Sequence, residues 1–279
     1  LAFLAAIGIG ATLLTLQARR QDQSDPAFRA ASAQAERDAH RVAELASAAG
    51  GIPATGAVTL LRDDPLTQGP RLFARHCSSC HRYDGHDGMG NAIAEAPTAP
   101  ELKGFGSRAW LAGLLDPSRV DTAAYYGETS FKAGKMVRFV KQKVVKYTAE
   151  QQAGLAKVIQ AVSAEAALPG QAVEDRRDAA GIAEGRELVR TEFSCTDCHA
   201  FRTPDEDATA PDLTGWGSRE WVIGIISDPT HERYYGKRND RMPSFLPSGQ
   251  MDARTIGLLA DWIRGDWYDA RRIAAFQTR

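Results

Sequence analysis

The chain has 279 residues, 43 % hydrophobic and 25 % charged, with 34 Lys and Arg against 35 Asp and Glu and a formal net charge of −1. This composition is globular, excludes disorder over the whole length, and allows about two domains. The balanced charge argues against a nucleic-acid binder, which needs a basic excess to neutralise phosphates.

The chain opens "LAFLAAIGIGATLLTLQARR", almost wholly apolar from Leu1 to Leu16, with its first charge at Arg19. At about 1.5 Å per residue the run covers roughly 24 Å, slightly short of a hydrocarbon core of ~30 Å. Residues 1–20 therefore predict a transmembrane helix whose beginning lies upstream. A cleaved signal peptide competes, but a basic start is missing and "ARR" is not a small-residue cleavage site. Arg19 and Arg20 run against the positive-inside rule if the following part is extracytoplasmic.

A helical connector over residues 21–63 follows. Asp25 is placed to cap a helix with Pro26 in its first turn, and Gly50 and Gly51 to end it. Its Ala, Glu and Arg content suits a solvated helix, and His40 within it reads as a surface residue. "GIPATGAVTLLRDDPLTQGP" then reads as turn-rich.

Two short stretches carry the chemistry: "RHCSSCHRYDGHDGMG", from Arg75, and "FSCTDCHAF", from Phe193. All four cysteines, Cys77, Cys80, Cys195 and Cys198, lie in them, so none is left for a disulfide framework. A single zinc site using both pairs would need a gap far longer than zinc-ribbon spacing, and a thioredoxin-like motif would need a βαβ context that neither has. Cys-x-x-Cys-His is the pattern of c-type haem attachment, and its recurrence argues against chance.

The surroundings repeat as well. "APELKGFGSRAWLAGLLDPSR" with "YYGETSFKAGKM" is matched by "APDLTGWGSREWVIGIISDPTHE" with "YYGKRNDRM". Pro100 aligns with Pro211, Arg108 with Arg219, Trp110 with Trp221, Tyr125-Tyr126-Gly127 with Tyr234-Tyr235-Gly236, and Met136 with Met242. Each module reads as helix, Cys-x-x-Cys-His, loop, helix, loop with methionine, helix. Ser caps open the "SRAW" and "SREW" helices, Thr148 and Gln151 form a capping box, and Gly265 closes the last helix. The modules span 64–167 and 182–279, joined by a polar linker over 168–181, and the fold class is all-α.

At these residues the sequence resembles the class I cytochrome c fold, repeated in tandem after the apolar helix. The resemblance implies two covalently bound haem c groups. Cys77 and Cys80 attach the first, with His81 as proximal iron ligand; Cys195, Cys198 and His199 serve the second. It implies Met136 and Met242 as distal ligands. Met242 precedes Pro243, the usual family context, whereas Met136 precedes Val137. Pro100 and Pro211 resemble the family proline whose carbonyl orients the proximal histidine. Arg108 and Arg219 are candidates for haem propionates, and Trp110 and Trp221 for packing on the rings. His86 and Met89 lie too close to His81 to reach the opposite haem face, His231 is a lesser candidate at the second, and Met251 reads as core.

The apolar start and the "GFGSRAW" and "GWGSREW" contexts further resemble dihaem cytochrome c regions attached to cytochrome b in bacterial quinol-oxidising bc-type complexes. The resemblance implies a non-catalytic electron-transfer subunit on the periplasmic side of the bacterial cytoplasmic membrane. Its partners would be cytochrome b and a Rieske iron-sulfur protein, with a soluble cytochrome c or terminal oxidase as acceptor. A dihaem entry subunit of a haem-copper oxidase is the alternative, and a dihaem cytochrome c peroxidase a further one, disfavoured because two distal methionines close both irons. The second module is the more acidic, while Lys132, Lys135, Arg138, Lys141, Lys143 and Lys146 surround Met136. The acidic module would attract a basic acceptor.

Overall fold

The computed structural model describes residues 1–48 and 50–269 and divides into two compact units. The last ten positions of the second module, as bounded from sequence, lie outside the described residues.

In the first unit, Leu1–Asp63 with Tyr268 and Asp269, helix α1 (Ala2–Ser24) has no buried residue. Its mean hydropathy of 1.4 makes it, among the described residues, the one helix long and apolar enough to cross a membrane, a property that anchors share with signal sequences. Helix α2 (Pro26–Ala46) starts where the Asp25 carboxylate accepts the Ala27 N–H at 2.8 Å, with Pro26 in the first turn. It ends at Ala46, before the Gly50–Gly51 stop. Part of the turn-rich stretch is helical: α3 spans Ala57–Arg62.

The second unit, Asp64–Trp267, holds both repeats in one body. Helix α4 (Pro65–His76) begins inside the stretch read as turn-rich, because Asp64 caps Thr67 N–H at 3.0 Å and Pro65 fixes the first turn. Then come α5 (Arg108–Leu114), α6 (Lys135–Gln142), α7 (Ala149–Ala164), α8 (Ala172–Arg177), α9 (Ala179–Arg190), α10 (Arg219–Ser227) and α11 (Ala253–Arg264). Ser107 and Ser218 each cap the tryptophan N–H three residues on at 3.2 Å, and the Thr148–Gln151 box opens α7. Among the described residues there is no strand, only isolated bridges.

Two features depart from the sequence pattern. The linker over 168–181 is largely helical, forming α8 and the start of α9, and it is tied down: Arg108 forms ion pairs with Asp175 and Asp178. Met136 sits in the first turn of α6 rather than in a loop, since Val137 and Val140 supply a buried helical stripe and no proline intervenes. Pro243 disfavours helical backbone at Met242, which stays irregular.

The repeats do not pack as separate domains. Helix α4 of the first repeat lies on α11 of the second, and α9 of the second lies on α7 of the first. Gly69 makes the first crossing possible, because a Cβ there would overlap the Cβ and Cγ of Trp262. Gly185 does the same in α9, beneath the Lys157 carbonyl and Ala161. Phe73, wholly buried, meets Trp262 at 5.5 Å and Tyr83 at 5.9 Å, and Tyr83 stacks on Trp262 at 4.1 Å. Such aromatic pairs contribute about 0.5–1.5 kcal/mol each beyond the area they bury. Within repeats, α5 lies on α7 and α10 on α11.

Equivalent residues meet at the junction, the mark of an approximate two-fold. Phe105 faces its counterpart Trp216 at 4.8 Å, and a Cβ on Gly217 would lie 3.1 Å from the Cα of its counterpart Gly106. The Ala166 methyl packs against both glycines. Ser163 Oγ donates to the Gly106 carbonyl at 2.8 Å, while buried Arg264 donates to the Ala166 carbonyl at 2.8 Å and to that of Gly217.

Candidate haem sites

Each motif follows a helix: α4 ends at His76, directly before Cys77, and α9 ends at Arg190, five residues before Cys195. The Cys77 N–H donates to the Phe73 carbonyl at 2.8 Å, and the next turn closes with Cys80 and His81 N–H on the Cys77 carbonyl at 3.0 and 2.8 Å. In the second repeat Cys198 and His199 N–H close on the Cys195 carbonyl at 3.3 and 3.0 Å, after Ser194 turns the chain at φ 50°. Two thiols and an imidazole thus share one turn in each repeat.

The loop carrying the proline is fastened to the motif by backbone. Thr98 N–H donates to the Cys80 carbonyl at 3.0 Å and Leu102 N–H to that of Arg82 at 3.0 Å; Thr209 with Cys198 and Leu213 with Ala200 do the same at 2.9 Å each. This fastening brings the Pro100 carbonyl to 2.7 Å from His81 Nδ1 and the Pro211 carbonyl to 2.6 Å from His199 Nδ1. A carbonyl only accepts, so both histidines carry their proton on Nδ1 and leave the Nε2 lone pair for a metal. Burial pushes both imidazoles below their ordinary pKa, opposed by the proline carbonyls, which keeps them neutral. Burial likewise raises the Cys77 thiol to about 12 and the Cys195 thiol to about 11, and no cysteine is in a disulfide.

This donor set fits covalent haem. It supplies two unbonded thiols on one turn and one neutral, oriented imidazole, in duplicate. It does not fit the zinc alternative, since among the described residues no three His, Cys, Asp or Glu side chains converge as a metal site.

Met136 and Met242 are half-buried and pack against the core, and the Met242 carbonyl accepts from Asn239 Nδ2 at 2.9 Å. Of their competitors, Met89 is exposed and Met251 buried. His86 Nδ1 accepts the Gly88 and Gly90 N–H groups at 2.9 and 3.3 Å, and exposed His231 accepts the Arg233 N–H at 3.2 Å. Trp110 and Trp221 are buried, each donating Nε1–H to the carbonyl following the proline, Glu101 at 2.8 Å and Asp212 at 2.9 Å. They brace the proline loops and join the Phe105–Trp216 cluster.

The two arginines are placed against carboxylates of the protein. Both terminal nitrogens of Arg108 are taken by Asp175 and Asp178, and Arg219 makes a two-point pair with Asp261. Arg108 thus bridges two carboxylates, whereas Arg219 holds one by two nitrogens. Sequence reading also passes over Arg82, buried directly after the first motif, which donates to the carbonyls of Ser78 at 2.6 Å, His81 at 3.0 Å and Glu95. No sequence signal marks it, because a charged residue beside a loop is ordinarily solvated.

Residues 66–163 match the family model described as Cytochrome c. This stretch is a cytochrome c domain. The domain implies covalent haem c, which Cys77 and Cys80 fit, and electron transfer as its chemistry. The cytochrome c match takes in α4 to α7 and leaves the second repeat outside it. No curated protein and no solved structure matches the chain.

Proposed function

We propose that the chain is a membrane-anchored dihaem cytochrome c that carries single electrons on the outer face of a bacterial membrane. The observation that carries the second haem is the duplicated proximal site: Nδ1 of His81 and of His199 meet proline carbonyls at 2.7 and 2.6 Å, each beside two free thiols. One such turn could be a packing accident, but two equivalent ones with the same tautomer form a repeated ligand set.

Bound haem supplies a one-electron iron centre whose potential follows from axial ligand, hydrogen bonding and burial. The protein's part is to hold the proximal imidazoles by the proline carbonyls, offer Met136 and Met242 as distal ligands, and keep water out with the buried aromatic core. No general acid or base is required. Helix α1 is read as the anchor, with the second unit on the periplasmic side. The sequence contexts favour a place in a bc-type quinol:cytochrome c reductase, with electrons arriving from a Rieske centre beside cytochrome b and leaving to a soluble cytochrome or terminal oxidase.

The test is haem stoichiometry on the full chain produced with a c-type maturation system. Two covalent haems per chain, falling to one in Cys195→Ala/Cys198→Ala and in Cys77→Ala/Cys80→Ala, are expected. One haem in the unaltered chain, insensitive to the second motif, overturns the dihaem reading. Copurification of a cytochrome b and a Rieske protein tests the bc placement; a copper-haem oxidase subunit instead favours the alternative.

A further inference from the structure

We propose that the axial ligands are crossed between the repeats, so that His81 shares its iron with Met242 and His199 shares its iron with Met136. This rests on reading both motifs as haem sites, and it changes which methionine belongs to which.

The helix pairing is the first ground. Each motif is launched by a helix, and each methionine is followed by a helix that closes its repeat. If the repeats were self-contained, α4 would pack on α7 and α9 on α11. The observed pairs are α4 with α11 and α9 with α7, fitted by Gly69 under Trp262 and by Gly185 under Lys157.

The segments between the methionines and the closing helices give a second ground. Phe245, three residues past Met242, stands edge-on to His76 at 6.2 Å, and His76 immediately precedes Cys77. Three residues span at most about 11 Å, which limits how far Met242 can lie from this contact. Reciprocally, Tyr147, in the segment between α6 and α7, stands edge-on to Phe193 at 5.4 Å, two residues before Cys195, and its phenol lies within electrostatic reach of the Cys195 thiol. Gly154 in α7 also faces the Phe193 ring.

The crossing point supplies the geometry. Gly106 and Gly217 touch after the proline loops, which stay with their own motifs, and before α5 and α10, which lie on α7 and α11. Near-identical repeats in one chain can exchange halves in this way because each half meets an equivalent surface on the other repeat, as in domain swapping. Trp262, from the second repeat, is then part of the first haem site through its stack on Tyr83.

The test uses the full-length holoprotein carrying Cys77→Ala/Cys80→Ala, whose single haem sits on the second motif, with Met136→His or Met242→His added. The ferric methionine-to-iron band and the midpoint potential are read. Met136→His is expected to abolish the band and lower the potential, while Met242→His leaves both in place. Loss with Met242→His and retention with Met136→His overturns the crossing, as does loss with both or with neither. Absence of haem from the single-motif chain and from the unaltered second motif instead overturns the haem reading beneath it. Should the single-haem chain not fold, His81→Met in the two-haem chain marks the first haem: adding Met242→His is expected to restore a histidine–methionine spectrum there, and restoration by Met136→His instead refutes the proposal.

Discussion

Gly217 approaches Gly106 so closely that a Cβ on the former would stand 3.1 Å from the Cα of the latter. Both are in left-handed backbone, at φ 74° and 87°, so a side chain there meets strain as well as crowding. Gly217→Ala is expected to destabilise the second unit by about 1–3 kcal/mol, combining backbone strain and overpacking. Chemical denaturation should show this loss, and the haem spectra of both motifs should broaden together, since the contact serves the two repeats equally. An unchanged midpoint would show that the close approach is not realised.

The α4–α11 pair can be tested with a double-mutant cycle. Gly69→Ala forces a methyl into Trp262 and is expected to destabilise by at least the ~1–3 kcal/mol typical of overpacking. Trp262→Ala removes a large buried ring at a cost of about 3–5 kcal/mol. Because the second change vacates the space that the first intrudes on, the pair should be less harmful than the sum, with coupling of about 0.5–3 kcal/mol. Strict additivity would mean that the two residues, 193 positions apart by number, are not neighbours.

Arg108 links the start of α5 to α8 and to the cap residue of α9 through Asp175 and Asp178. Arg177, and after it Arg108, bring the Asp178 carboxyl from 3.8 down to about 2. A carboxyl depressed in the folded state adds stability that is complete above its unfolded value and fades as pH falls toward the folded one. The protein should therefore lose stability between about pH 4 and pH 2 by a component that Asp178→Asn abolishes. Arg108→Ala should lower the melting temperature while leaving both haem potentials in place. A potential shift without loss of stability would return Arg108 to a role at the haem edge.

What the sequence makes legible is local. The Asp25, Ser107, Thr148 and Ser218 caps, the two Cys-x-x-Cys-His turns and the proline carbonyls all depend on residues close in sequence or on a repeated spacing. Pairing of helices does not. Both closing helices present apolar faces, so the pattern of α7 and α11 says that each is covered, not by which launching helix. As sequence, the glycines at 69 and 185 are compatible with either partner, and the pairing shows only in the fold, where Gly69 lies against Trp262 and Gly185 against Lys157. The ion partners of the two arginines are hidden for the same reason, since Asp175, Asp178 and Asp261 lie 67, 70 and 42 positions away.

Arg82 gives the sharpest asymmetry between the repeats, because its place after the second motif is taken by Ala200. Its guanidinium joins carbonyls from the motif turn and the following loop, including that of the proximal histidine His81. Removing a buried charged donor from these part-buried carbonyls costs about 1–3 kcal/mol. Arg82→Ala is thus expected to reduce stability and to shift the potential of the first haem alone, because the second motif is held without any such side chain. Arg82→Lys should recover only part of the stability, as an ammonium cannot span three carbonyls with the planar fork of a guanidinium. A redox titration resolving the two haems checks this, and an equal shift at both would show that Arg82 acts through the shared core and not through the turn it ties.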